Sequence, residues 1–365
     1  MDESHYLKSK TTKRVKHISP ILKKAKRVLL LSGTPVTNKP VELFTQLAII
    51  CPFIAGKYQN YVNRYCDAKR FCGHFDVNGS SCLKELHWIL KSLSIRRLKD
   101  DVLTDLPDKM RTQIKVELQG KDKKVLKGLF SRWTCLNRTI PMMKEASQEQ
   151  IEAVFERKRI ISEIYHTSAD VKKEKLKQVL QDMLLDGEKT IVFAHHKVML
   201  DALEELMPEI GMDDVEFVRI DGSTTAGAKN ALVQHFQTDD RCKVAILSIL
   251  ACGTGLTLTS SSRILFAEMY WVTSTMLQAE DRIHRIGQKN CCDIRYIIAE
   301  GTLDPYLWKM LNKKFDIVST IMDGNTDAIL EASERNIDLT PDEEINTLFE
   351  EEMATKKKRK RKKEK

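Results

Sequence analysis

No apolar run in these 365 residues approaches the roughly twenty needed to cross a bilayer, and the N-terminus is acidic and then basic rather than signal-like. A soluble, intracellular chain is expected. The nine cysteines include no CxxC pair and no regular spacing, and Cys51 and Cys242 sit within apolar stretches, as in proteins of a reducing compartment. Cys66, Cys72, His74 and Cys82 could offer a zinc set, but their spacing is irregular and ordinary buried or surface thiols are the default reading. The string GxxxxGK[ST] is absent as well, so nothing here offers the usual cradle and lysine for nucleotide β- and γ-phosphates.

What is present begins with charge. The formal net charge is +9, unevenly spread. Lys356–Lys365 carries +8, residues 319–355 carry −10, and the body up to residue 318 is left at +11. A basic body suits a polyanion such as nucleic acid, and equally a solvated charged surface. With 42% hydrophobic residues, the length suffices for two domains of moderate size.

Val28-Leu-Leu-Leu31 is a short apolar run closed by Ser32-Gly33-Thr34-Pro35, which predicts a buried strand ending in a turn, with a helix from about Val41 to Ile50 after it. From Lys121 to Leu185 the pattern is helical and charged, broken chiefly at Pro141, as in a protruding insert. Apolar runs then recur at Thr190–Ala194, Phe217–Ile220, Val244–Ser248, Arg263–Phe266 and Asp293–Ile298, separated mostly by helical stretches. That alternation predicts a parallel, doubly wound α/β sheet, with chemistry expected in the loops beyond the carboxyl ends of the strands.

Four short segments could carry chemistry. Asp2-Glu3-Ser4-His5 pairs two acids of the kind that hold Mg²⁺ and activate water, or is a solvated terminus. Ser32-Gly33-Thr34 could sense a phosphate or carboxylate, or simply turn the chain. Gly253-Thr254-Gly255, near Thr257, offers backbone for close approach to phosphate, or a tight turn. In Gln278-Ala-Glu-Asp-Arg282-Ile-His-Arg285-Ile-Gly-Gln288 the two arginines are three apart, so a helix would place them on one face. Arginine forks two donors toward phosphate oxygens. The competing reading is a surface helix with an Asp281–Arg285 ion pair.

Taken in order, DESHYLKS, LLLSGTP, RRLKDDVL, IVFAHH, RIDGST, AILSILACGTGLTL and QAEDRIHRIGQ resemble the later motifs of the Swi/Snf-type helicase-like ATPases, over nearly all of residues 1–320. IVFAHH, FAEMYW and GTLDPYLWKMLNKK resemble the annealing-helicase branch, which rewinds DNA and remodels stalled forks. The resemblance implies an α/β fold with a partial first RecA-like lobe over 1–110, a helical protrusion over 111–170 and a complete second RecA-like lobe over 171–320. An acidic helix-prone segment (321–355) and a disordered basic tail (356–365) would follow.

It implies a DNA-dependent ATPase using ATP and Mg²⁺, acting on forked or duplex DNA in the nucleus, with replication or repair proteins as further partners. Asp2 would associate with Mg²⁺ through water and Glu3 would be the general base. His5 would link the nucleotide site to the rest, and Ser32, Gly33 and Thr34 would couple hydrolysis to movement. Gly253, Thr254, Gly255 and Thr257 would lie between DNA and nucleotide, Gln278 near the nucleotide, and Arg282 and Arg285 would reach ATP on the other lobe. The missing phosphate loop departs from the family, as do Ala228-Lys229 where Glu-Arg is common and Cys252 where Gly is frequent. The first departure implies either the C-terminal part of a longer protein or a non-catalytic module; a nucleosome-remodelling ATPase is the neighbouring alternative. No zinc-knuckle spacing, nuclease motif or clear sliding-clamp peptide is found. The basic tail has the composition of an import signal or nucleic-acid patch, or of a solvated tail.

Overall fold

The computed structural model describes residues 1–71, 74–103, 105–118, 120–143, 147–210, 215–251 and 256–324. Gly253, Thr254 and Gly255, together with Cys72, the acidic segment beyond 324 and the basic tail, lie outside them. Two compact units are present: Met1–Val102 with Val272–Ser274 and the chain from Leu311, and Leu103–Trp271 with Thr275–Met310.

The first unit is mostly helical. Thr12 caps α1 (Lys13–Lys24) by accepting a hydrogen bond from the Val15 amide, satisfying one of the free donors of the first turn. A 3₁₀ turn over Pro40–Leu43 leads into α2 (Phe44–Ile50), so helical backbone covers the expected span. α3 (Pro52–Ala55), α4 (Tyr58–Tyr65), an antiparallel hairpin of β1 (Lys69–Phe71) and β2 (His74–Asp76), α5 (Leu83–Leu93) and α6 (Lys99–Val102) follow. Leu43, Leu47, Val62, Leu86 and Leu90 form its core, joined by Val318 and Ile321 from a late helix. Cys66 belongs to that core, and burial pushes its thiol up to about 12, which keeps the proton on sulfur.

Residues 28–31 differ from expectation. They run extended beside Met1–Ser4, the Leu31 amide donating to the Met1 carbonyl at 2.9 Å and the Ser4 amide to the Leu31 carbonyl at 2.9 Å. Val28 and Leu30 pack on Leu7, Val15 and Ile49, while Leu29 and Leu31 are exposed. The segment is thus half-buried with period two. A uniformly apolar run cannot reveal that one of its faces remains open.

The second unit is built on a six-stranded, wholly parallel sheet in the order β3-β8-β7-β4-β6-β5. Its strands are β3 (Lys109–Val116), β4 (Thr190–Ala194), β5 (Glu216–Ile220), β6 (Cys242–Ser248), β7 (Arg263–Phe266) and β8 (Cys292–Ala299). Five coincide with the apolar runs. The sixth, β3, was not expected, because Lys-Met-Arg-Thr-Gln-Ile-Lys-Val has no apolar run. It pairs with β8 at the sheet edge.

The insert is a helical pair, α7 (Gly120–Thr139) and α8 (Gln148–Leu184), the latter about 55 Å long at 1.5 Å per residue. Ser147 caps α8 by accepting from the Gln150 amide. The later part of α8 and α9 (Lys197–Leu206) cover one sheet face through Leu176, Leu180, Leu200 and Leu203 against Val192, Ile246 and Leu265. α10 (Ala226–Thr238) packs on β5 and β6, and α11 (Thr273–Glu280) and α12 (Asp304–Asp323) complete the described chain. α12 begins in the second unit and its last turns belong to the first.

Side chains of the opposite parity stack within the sheet. Phe266 lies between Phe193 at 5.2 Å and Tyr296 at 4.7 Å, and Tyr296 meets Trp308 edge-on at 5.0 Å. Truncating Phe266, which is fully buried, to alanine should cost about 3–5 kcal/mol, read as a lower urea midpoint at unchanged slope.

Candidate functional site

In the first unit the two N-terminal motifs meet. Asp2 and Glu3 are exposed; the Asp2 carboxylate accepts the Glu3 amide at 2.8 Å, and Glu3 has the left-handed backbone value φ 48°. His5 is buried and its Nδ1 lies 3.1 Å from both the Glu3 carboxylate and the Ser32 hydroxyl. Burial lowers its pKa, against the opposing pull of Glu3, so the ring is neutral at pH 7. The Thr34 amide donates to Ser32 Oγ at 3.2 Å, and Gly33 is exposed with nothing within 4 Å of the place a Cβ would take.

Helix α2 and the 3₁₀ turn before it pin this arrangement. Ser4 Oγ donates to Gln46 at 3.0 Å, and Gln46 Nε2 donates to the Pro35 carbonyl at 2.8 Å. Glu42 accepts from the Thr37 amide and hydroxyl and the Asn38 amide, at 2.8, 2.7 and 2.9 Å. Gln46 alone bonds both motifs, while Glu42, about one helical turn earlier, holds Thr37 and Asn38 just beyond the second. Neither was singled out from sequence.

In the second unit the arginine segment is not one continuous helix. α11 ends at Glu280 and the chain turns through Asp281–Gly287, where Gly287 has φ 103°. Even so, both guanidiniums reach the segment after the glycine loop. Arg282 Nη1 donates to the Leu256 carbonyl at 3.4 Å and Arg285 Nη1 to Thr257 Oγ1 at 3.1 Å, while the Leu258 amide donates to the Arg282 carbonyl at 3.0 Å. Arg282 is half-buried; Arg285 and Thr257 are exposed, and Gln278 is half-buried on α11. Gln237 of α10 holds the same segment from the other side, donating to the Thr257 carbonyl and accepting the Ser260 amide.

The support beneath this turn is a buried carboxylate that sequence reasoning passed over. Glu280 receives Lys109 Nζ at 2.9 Å, Arg111 Nε and Nη2 at 2.8 and 2.7 Å, and the Tyr296 hydroxyl at 2.5 Å. Burial alone would raise its pKa; Lys109, Arg111 and Tyr296 overrule that and hold it at about 2. Lys109 also approaches Asp281 at 3.7 Å, and His284 Nε2 donates to the Pro107 carbonyl at 2.8 Å. The available signal was Lys109 and Arg111 two apart, one face of a strand once the strand is recognised.

This turn is not at the carboxyl end of the sheet. Residues 281–291 directly precede β8, so in a parallel sheet they lie at its amino end, beside Pro107 and Asp108 before β3. The carboxyl end carries a different cluster. Glu268, beyond β7, accepts the amides of His195 and His196 at 2.9 and 2.8 Å and so caps α9, with its other oxygen 3.0 Å from His196 Nδ1. Lys172 of α8 donates to Asp304 at 2.6 Å and to the Ala267 carbonyl at 3.0 Å. Burial would raise the Glu268 pKa, but His196 and then Lys172 bring it to about 2. Tyr165, Trp271 and Leu307 help line the small cavity here. Elsewhere Glu216, His235 and Asp239 gather at an exposed rim, with Arg241 paired to both carboxylates.

Residues 1–176 match the SNF2-related domain and residues 171–287 the helicase conserved C-terminal domain. The chain belongs to this SNF2-related, helicase-type family. SWI/SNF-related matrix-associated actin-dependent regulator of chromatin subfamily A-like protein 1 of Xenopus tropicalis is 40% identical over 320 residues, 87% of this chain and 32% of the relative. DNA annealing helicase and endonuclease ZRANB3 of Homo sapiens is 40% identical over 333 residues, 90% of this chain and 30% of its own. The chain thus spans about a third of the length of these curated relatives. Among solved structures, a Sulfolobus solfataricus SWI2/SNF2 ATPase core in complex with dsDNA gives a TM-score of 0.45 at 21% identity, covering 88% of this chain and 68% of the other.

Proposed function

We propose that the chain is the arginine-bearing part of a DNA-dependent ATPase that translocates on duplex or forked DNA and anneals strands in fork repair, in the nucleus. One observation carries this reading: Arg282 and Arg285 converge on the end of the glycine loop, bonded to Leu256 and Thr257. Two fixed cations beside a glycine-rich segment suit charge developing on a transferring γ-phosphoryl group. Gln278, Thr257 and the loop of Gly253, Thr254 and Gly255 would sit between nucleotide and DNA backbone.

Asp2 and Glu3 are exposed hard oxygen donors, the chemistry Mg²⁺ accepts, so the acidic pair fits the ion. Asp2 would hold it through water, and Mg²⁺ would neutralise phosphate charge. Glu3 would orient and deprotonate the attacking water, and His5, bonded to both Glu3 and Ser32, would pass the state of that site to Ser32, Gly33 and Thr34. The phosphate cradle would come from residues beyond these 365, because no GxxxxGK[ST] is among them.

That absence also favours a second reading, a DNA- or partner-binding module without catalysis. An ATPase assay on forked DNA separates the two: DNA-stimulated turnover supports the motor, and none in the full-length protein leaves the module. Because the contacts expected are with phosphates, affinity should fall about a thousandfold or more between roughly 50 and 200 mM salt, with little sequence preference. A flat salt response in a DNA-binding titration contradicts the reading.

A further inference from the structure

We propose that residues 107–111, the stretch entering β3, are the positioning element for the arginine turn, acting through the buried Glu280 carboxylate. The proposal rests on the reading of Arg282 and Arg285 given above and names what aims them. Three ties connect the two segments: Pro107 accepts from His284, Lys109 pairs with Glu280 and Asp281, and Arg111 grips Glu280 with two donors. Tyr296 of β8 supplies a further donor from beneath.

The geometry suits positioning rather than catalysis. Glu280 has no exposed side-chain surface, so it meets no ligand, yet it stands two residues before Arg282. Its carboxylate is fully ionised at neutral pH and accepts four hydrogen bonds, three of them from cations. The turn has left helical geometry but keeps short-range backbone bonds at Asp281 to Arg285, and the Glu280 anchor ties that local turn to β3 and β8, which its own backbone bonds do not reach. A misplacement of about 1 Å at a reacting centre can cost on the order of a hundredfold in rate.

Val102 closes the first unit's N-terminal stretch and Leu103 opens the second unit, so the segment bolted to the arginine turn follows the connection within a few residues. Along the chain, Pro107, Lys109 and Arg111 are thus the first contacts with the arginine turn after that connection.

The test uses the full-length protein with Arg111→Ala, Arg111→Lys, Tyr296→Phe and Arg285→Ala. Arg111→Ala should lower the DNA-stimulated kcat about ten- to a hundredfold with KM for ATP unchanged, and Arg111→Lys should recover part of it by restoring charge without the fork. Amide hydrogen exchange over residues 282–288 should quicken in Arg111→Ala and, more mildly, in Tyr296→Phe, while α9 and the turn in Arg285→Ala keep their parental rates. Adding Arg111→Ala to Arg285→Ala should lower kcat no further. Unchanged exchange at the turn in both Arg111→Ala and Tyr296→Phe overturns the proposal, as does full activity of Arg111→Ala alongside an inactive Arg285→Ala. Should Arg285→Ala itself keep its ATPase, the catalytic reading fails while the exchange result still decides the positioning one. Tyr296→Phe keeps the ring and its packing, so the exchange measurement stands even if Arg111→Ala does not fold.

Discussion

Arg285→Ala is expected to lower DNA-stimulated ATP hydrolysis on the order of a thousandfold while leaving DNA binding in place. The Arg285 side chain is exposed and its guanidinium bonds to Thr257, an exposed residue, so the fold asks little of it. Substitutions at such positions usually change stability by no more than about 0.5 kcal/mol. A large loss of kcat at unchanged melting temperature therefore reports chemistry. Arg285→Lys should recover little, because a lysine keeps the charge but not the planar two-donor fork. The measurement is steady-state ATPase with saturating forked DNA, alongside a DNA-binding titration of the same preparations. Retained turnover in Arg285→Ala would remove the residue from the catalytic role.

The second large effect is on acid stability. Glu268 and Glu280 both stand at about 2, against about 4.5 for an unperturbed glutamate. A lowered folded-state value contributes stability that is present above the unfolded pKa and lost as pH falls through the folded one. The second unit should therefore weaken between about pH 4.5 and pH 2, by about 3 kcal/mol from each carboxylate. Protonating Glu280 leaves Lys109 and Arg111 around a neutral group, and protonating Glu268 takes the charged cap from α9 and the anion from beside His196. Glu280→Gln should already destabilise at pH 7, by about 3 kcal/mol, since it takes the anion from between two half-buried cations, and should flatten the acid response. Urea midpoints followed by circular dichroism at pH 7, 4 and 3 check both statements. A parent whose midpoint holds steady down to pH 3 rules out this coupling.

Which parts of the molecule could be read in advance follows from the range of the interactions involved. The runs Thr190–Ala194 and Arg263–Phe266 are strands end to end, because strands covered on both faces read as near-continuous apolar runs, here Ile191–Ala194 and Ile264–Phe266 after a polar first residue. Lys109–Val116 escaped notice for the opposite reason: at a sheet edge its alternate residues may be charged, and its membership is decided by β8. Leu29 and Leu31 look like core and are not, since whether a neighbour covers an apolar residue is a tertiary fact.

The arginine segment divides in the same way. It is the last of seven ordered motifs that marked the family without coordinates, because spacing and residue type survive in one dimension. That Arg282 and Arg285 still converge after α11 ends at Glu280 depends on a turn that Gly287 permits and Glu280 anchors. The sequence alone determined the class of protein, the parallel sheet and the kinds of side chain available for phosphate. Tertiary structure decided which of them meet. Glu280 lies 169 residues from Arg111 and 16 from Tyr296, and a carboxylate that folding strips of water keeps its charge only where folding also supplies such partners.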